Sequence, residues 1–130
     1  MTKKELSQLY HLKDEIKDDE RRLEELKLKA ISPSTPNLSG VYHTGFDSSK
    51  IEKYTAEICD IQAIIETKRL QCIHLQNIIE RYIAEIQDSY IRRIFTLRFV
   101  ECKSWSKIGF ELHTTGDGAR MACDRFLQKK

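Results

Sequence analysis

Residues 49–87, "SKIEKYTAEICDIQAIIETKRLQCIHLQNIIERYIAEIQ", decide the fold. Ile51, Tyr54, Ile58, Ile61, Ile65, Cys72, Leu75, Ile79, Tyr82 and Ile86 recur at alternating steps of three and four, and only Lys68 breaks the series. That rhythm stacks side chains on one stripe of a helix, the heptad seam of a coiled coil. Ser49 followed by Glu52 has the form of a capping box and marks the start. At 1.5 Å per residue the helix is roughly 50 Å long. A small globule cannot cover so long a stripe, so the helix needs a partner helix along most of its length.

Residues 1–30 supply part of that partner. Thr2 and Glu5 form another capping box, and Leu9, Leu12, Ile16, Leu23 and Leu26 repeat the rhythm with Asp19 in one place. Asp14, Glu15, Asp18, Arg21, Arg22 and Glu25 carry the outer face, where pairs such as Asp18–Arg22 lie four apart. Between the two helices, residues 31–48 hold both prolines and two of the five glycines without any period. This stretch reads as a mobile loop across which the first helix folds back as an antiparallel hairpin. The first helix is the shorter, and Ile64, Ile73, Ile78 and Ile83 widen the stripe of the second. The surplus points to a second copy of the chain, with the seam from Ile51 to Ile86 as the oligomer contact, or to docking of the terminal domain.

Residues 88–130 have a different pattern. Asp88 and Ser89 restart the chain with helix-capping chemistry, and Ile91, Ile94, Phe95 and Phe99 line one buried face. After a short turn at 101–103, Ser104 caps "WSKIGFEL", which sets Trp105, Ile108 and Leu112 on one side. "HTTG" makes the next turn and "DGARMACDRFLQKK" the last helix. Two short helices joined by a tight turn, behind a helix that closes the core, fit a helix-turn-helix. In such a unit the first helix crosses the phosphate backbone and the second enters the major groove. Thr115, Asp117, Gly118, Arg120, Met121 and Asp124 then lie near base edges, with Arg120 the best reader of guanine. Ser104, Ser106 and Lys107 are placed to hold phosphate, and Arg125, Lys129 and Lys130 extend the positive face. Ala119, Ala122, Cys123 and Phe126 turn inward against Trp105 and Ile108, the alanines permitting a close crossing.

Composition agrees with this division. The 130 residues are 32% charged and 40% hydrophobic, a mixture suited to helix and to one domain or a small domain on a stalk. Net charge is zero over residues 1–30, −2 over 31–87 and +4 over 88–130. The positive excess at the C-terminal end suits a local nucleic-acid footprint. Cys59, Cys72, Cys102 and Cys123 form no Cys-x-x-Cys pair, which fits free thiols in a reducing cytoplasm. Cys72 and His74 diverge on a helix and lack a second ligand pair, so no metal site is expected. His113 with Cys102 or Cys123 makes no nucleophile–base–orienter set, and no phosphate-binding glycine loop occurs. An enzyme and a cofactor are therefore not expected. No apolar run reaches the length of a membrane span, so a soluble, cytoplasmic protein is expected.

"YIAEIQDSYIRRIFTLRFVECKSWSKIG" and "TTGDGARMACDRFLQK" resemble the C-terminal half of small phage and prophage proteins, the ArpU/RinA-like transcriptional regulators. The likeness extends through "MTKKELSQLYHLKDEIKDDERRLEEL" and the "SP..PNLSG" stretch to nearly the whole chain. Its most specific parts are R-x-I-F-x-L-R-F at 92–99, S-W-x-x-I-G at 104–109 and D-x-x-R-x-x-x-x-R-x-L at 117–127. The resemblance implies a terminal domain similar to the helix-turn-helix of sigma-factor region four, sequence-specific binding of double-stranded DNA and control of phage genes in a bacterial cytoplasm. Three positions depart from the family's pattern. Cys102 stands where a glycine is usual, Gly118 where a hydroxyl residue is expected, and Met121 where a basic one is expected.

The expectation is thus an all-α chain. A long helical hairpin or coiled-coil stalk (1–30, loop 31–48, 49–87) carries a helix-turn-helix domain (88–130). It acts as a homodimeric transcriptional regulator that binds its site alone or also touches RNA polymerase. Two other readings stand beside it. One is a phage terminase small subunit, which joins the same parts in a ring. The other is a coiled-coil interaction protein that does not bind DNA.

Overall fold

The structure, a computed structural model, describes residues 1–31 and 48–129. The expected loop lies outside the described residues apart from its end members Ile31 and Ser48, which are helical; the Ser49 side chain and the phosphate candidate Lys130 also lie outside. All regular structure among the described residues is helical, as expected: α1 (Lys3–Ile31), α2 (Ser48–Ala84), α3 (Ser89–Phe95), a π-helical turn (Thr96–Val100), α4 (Trp105–Glu111) and α5 (Gly116–Gln128). The chain forms two compact units, one of Glu15–Arg69 and one of Met1–Asp14 with Leu70–Lys130.

In the first unit α1 and α2 run antiparallel. Asp19 pairs with Lys68, Glu20 pairs with Arg69, and Leu26 and Ile61 line one groove. Ile61 and Ile65 are buried, while Ile16, Leu23, Leu26, Tyr54 and Ile58 are half-buried and Ile51 is exposed. The two charged residues that interrupt the seams lie within it. Asp19 is 8% exposed and accepts from Lys68 Nζ at 2.6 Å. Glu15 at 3.5 Å and Arg22 at 3.8 Å complete a small network around the pair. The hydrogen bond to Asp19 holds the Lys68 pKa above its usual value.

The second unit has one core. Leu6 and Leu9 of α1, Ile79 and Ile83 of α2, and Ile86 join Ile91, Ile94, Phe95, Phe99, Ile108, Leu112, Ala119 and Cys123. Phe95 is fully buried at its centre. It meets Phe99 and Phe126 edge-on at 5.2 and 5.5 Å and stacks on Tyr82 at 6.3 Å. Truncating so central a ring to alanine costs about 3–5 kcal/mol. Of the residues that widen the α2 stripe, Ile83 is spent in this core, whereas Ile64, Ile73 and Ile78 stay exposed. Leu6, three residues before Leu9 and in phase with it, is a further core residue of α1.

Two local features differ from the sequence reading. Helix α2 stops at Ala84, short of Gln87, and its last turn tightens through Ile86 N–H to Ile83 O at 3.0 Å. The Arg92 guanidinium then donates to Ile86 O and Gln87 O at 2.7 and 3.3 Å, satisfying carbonyls of the turn between α2 and α3. Asp88 caps α3 by accepting from Tyr90 and Ile91 N–H. Past Phe95 the helix widens into the π turn, closed by Glu101 N–H to Thr96 O at 2.9 Å. Lys103 N–H reaches Leu97 O at 2.9 Å, and Cys102 between them takes a left-handed φ of 57°.

Candidate nucleic-acid interface

Helices α4 and α5 are set by their caps and by one close approach. Ser104 accepts from Lys107 N–H and starts α4; Thr115 accepts from Gly118 N–H at 3.0 Å and starts α5. Between them Thr114 N–H bonds Gly109 O at 2.8 Å, His113 N–H bonds Phe110 O at 3.3 Å, and His113 adopts φ 57°. This is the Schellman pattern, with histidine in the place that glycine favours. A β-carbon on Gly109 would lie 2.5 Å from Gly116 N and from Thr115 C, so only glycine lets α4 meet the start of α5. Gly116 is nearly as tight, its β-carbon position lying 3.0 Å from Trp105 C and O. The close crossing anticipated at the alanines is thus made mainly at two glycines; Ala119 is buried and Ala122 half-buried beside it.

Trp105 is half-buried against the core, and Arg98 lies 4.8 Å from its ring centre. Arg98 also stands 5.7 Å from the Tyr10 ring and donates to Lys103 O at 3.0 Å, while Lys13 Nζ donates to Val100 O at 3.0 Å. The first turns of α1 therefore brace the segment leading into α4. Arg98 and Lys13 are both committed to this packing.

The base-contact candidates fall into three groups. Arg120, Met121 and Asp117 are exposed on the outer face of α5, Asp117 with 87% of its side chain in solvent. Arg120 reaches Asp117 only at 3.5 Å. Thr115 and Gly118 are joined by the cap itself, although the Thr115 hydroxyl proton remains available to a ligand. Asp124 is tied to Lys3 of α1 by a 2.9 Å ion pair. Among the phosphate candidates Ser104, Ser106, Lys107, Arg125 and Lys129 are exposed. Lys107, Arg125 and Lys129 form no ion pair among the described residues, so their charges stay available to an anion. Lys103, by contrast, is held by Glu111 at 2.6 Å, a hydrogen bond that raises its pKa.

Two residues at this end were not singled out from the sequence. Phe110 is 84% exposed on the outer side of α4, out of phase with Trp105, Ile108 and Leu112, and its phase was the available signal. Lys3 lies 121 positions from Asp124, and no local pattern announces their pairing.

The seam residues are distributed between the two units: Ile61 and Ile65 are buried in one, Ile79 and Ile86 in the other, with Cys72, Leu75 and Tyr82 packed at its edge. Burial raises the Cys72 thiol pKa and pushes that of Cys123 up to about 11. No group of metal-ligating side chains occurs among the described residues, and no helix there is long and apolar enough to cross a membrane. No protein-family model, curated protein or solved structure matches the chain.

Proposed function

We propose that residues 88–130 bind double-stranded DNA sequence-specifically, with α4 and α5 acting as a helix-turn-helix, and that the protein regulates transcription of phage or prophage genes. The reading is supported above all by the close α4–α5 crossing at Gly109, which leaves Arg120 exposed on α5, with Lys107, Arg125 and Lys129 exposed elsewhere on the two helices and in no ion pair among the described residues. Helix α5 enters the major groove, where a guanidinium makes two hydrogen bonds to guanine. Lys107 and the capped start of α4 hold the phosphate backbone and fix the register. The C-terminal excess of positive charge and the resemblance to ArpU/RinA-like regulators lean the same way.

A single small domain makes a modest DNA interface, so a homodimer on a repeated half-site is the working form, with RNA polymerase as a further contact. Titration of a labelled duplex pool at 50 and 200 mM salt tests the binding. Affinity that falls steeply with salt supports it, and absence of binding at low salt removes it.

A second reading draws on Phe110, which exposes an aromatic ring on α4, and on exposed Met121. Exposed apolar side chains suit a protein partner, and the chain is then an interaction module. Retention of DNA binding in Phe110→Ser separates it from the first reading.

A further inference from the structure

We infer that Lys3 is a positioning residue for Arg120: it holds Asp124 and so keeps that carboxylate from closing on the Arg120 guanidinium. The inference rests on the DNA-binding reading and assigns part of the recognition geometry to the first turn of α1, at the far end of the sequence.

Arg120 stands between two acidic residues of its own helix, Asp117 three positions before and Asp124 four positions after. Side chains at both spacings are neighbours on a helix. Asp117 is a weak competitor, because its contact is long, at 3.5 Å, and its carboxylate is almost wholly in solvent. Asp124 is the stronger one, with only 31% of its side chain exposed, so water screens it less. It forms its ion pair with Lys3 and none with Arg120 among the described residues.

The backbone that carries Lys3 is anchored, although its side chain is 51% exposed. Its helix start is locked by the reciprocal bonds of Thr2 and Glu5, at 2.7 and 3.2 Å, and Leu6 one turn on is fully buried. Met1, Thr2, Lys3 and Glu5 share a groove with Leu127 of α5, which sets this turn alongside the recognition face. An exposed pair of this kind adds little stability. Its consequence is where it places charge. One carboxylate that would repel phosphate is neutralised, and one guanidinium is left to point outward.

The test uses the full chain, a duplex selected by the wild type from a random pool, and an unrelated duplex of equal length. Lys3→Met is expected to lose about two-fold in affinity for the selected duplex, the scale of an i,i+4 ion pair. Its preference over the unrelated duplex falls accordingly. Asp124→Asn in the Lys3→Met background restores the preference lost in Lys3→Met, measured relative to Asp124→Asn alone. Lys4→Met removes the same charge one position away and weakens both duplexes alike. The Arg120 side-chain Nε–Hε resonance moves in Lys3→Met without DNA and returns in the double variant. Unchanged preference in Lys3→Met, or a Lys3→Met effect that persists undiminished in the Asp124→Asn background, overturns the inference. A wild type that selects no duplex overturns it together with the DNA-binding reading, and that result is visible before any variant is made.

Discussion

Lys68 Nζ lies 2.6 Å from Asp19 Oδ2, so the two charged residues that interrupt the seams of α1 and α2 pair with each other. Each alone is a defect in an apolar stripe. Together they fix which turn of α1 faces which turn of α2, because any slip of register strands a carboxylate that is 8% exposed.

Breaking the pair from one side should therefore hurt more than removing both partners. Lys68→Ala leaves the Asp19 carboxylate buried and is expected to cost about 1–3 kcal/mol in urea denaturation. The double replacement Asp19→Leu with Lys68→Leu is expected within about 1 kcal/mol of the wild type or above it. The pH dependence follows from the raised Lys68 pKa. Its folded value lies above the ordinary 10.5, so its contribution is fully present below that pH and is lost as pH rises through the folded value. Alkaline melts of Lys68→Met should lack that loss.

Gly109 governs the α4–α5 crossing. Gly109→Ala puts a β-carbon 2.5 Å from backbone atoms that have no freedom to move aside. A loss of about 1–3 kcal/mol or more is expected, with weakened DNA binding. Wild-type stability in this variant would mean that the two helices do not meet at Gly109.

His113 and Cys102 both sit at φ 57°, where a β-carbon is disfavoured. His113→Gly relieves that strain at an exposed position and is expected to raise stability by about 0.5–1 kcal/mol, read from thermal melts. Cys102→Gly should gain less, because half-buried Cys102 gives up its Sγ contact with Val100 O at 3.8 Å. Glycine at position 102 would be the strain-free choice for this φ.

Cys123 is buried, and burial pushes its thiol pKa up to about 11. Native protein at pH 8 should alkylate at exposed Cys59 and leave Cys123 unmodified until the terminal unit opens. Mass spectrometry of an iodoacetamide time course reads this directly. Equal rates at both thiols would show that Cys123 is not in the core.

Periodicity made the helices legible because a three–four rhythm on a helix has one physical meaning. The caps at Thr2, Asp88 and Ser104 were legible for the same reason: they are local chemistry. What could not be read was non-local or unsignalled. Asp19 and Lys68 are each visible as an interruption, but their pairing depends on how far the chain folds back. Lys3 and Asp124 meet only because α1 closes the core that α5 also needs. The π turn and the left-handed His113 carry no glycine or proline to announce them. The exposure of Arg120, Met121 and Asp117 agrees with the helix-turn-helix pattern read from the sequence, whereas the engagement of Asp124 needed the third dimension.

The central claim is that the outer face of α5 reads duplex sequence through Arg120. Selection from a random duplex pool, followed by affinity measurement of wild type, Arg120→Ala and Lys129→Ala on the enriched and on scrambled duplexes, tests it most directly. The account predicts an enriched, repeated motif. Arg120→Ala should lose about 1–3 kcal/mol on that motif and relax one base position. Lys129→Ala should weaken all duplexes alike and flatten the salt dependence. No enriched motif, or equal effects of both variants on every duplex, would contradict it.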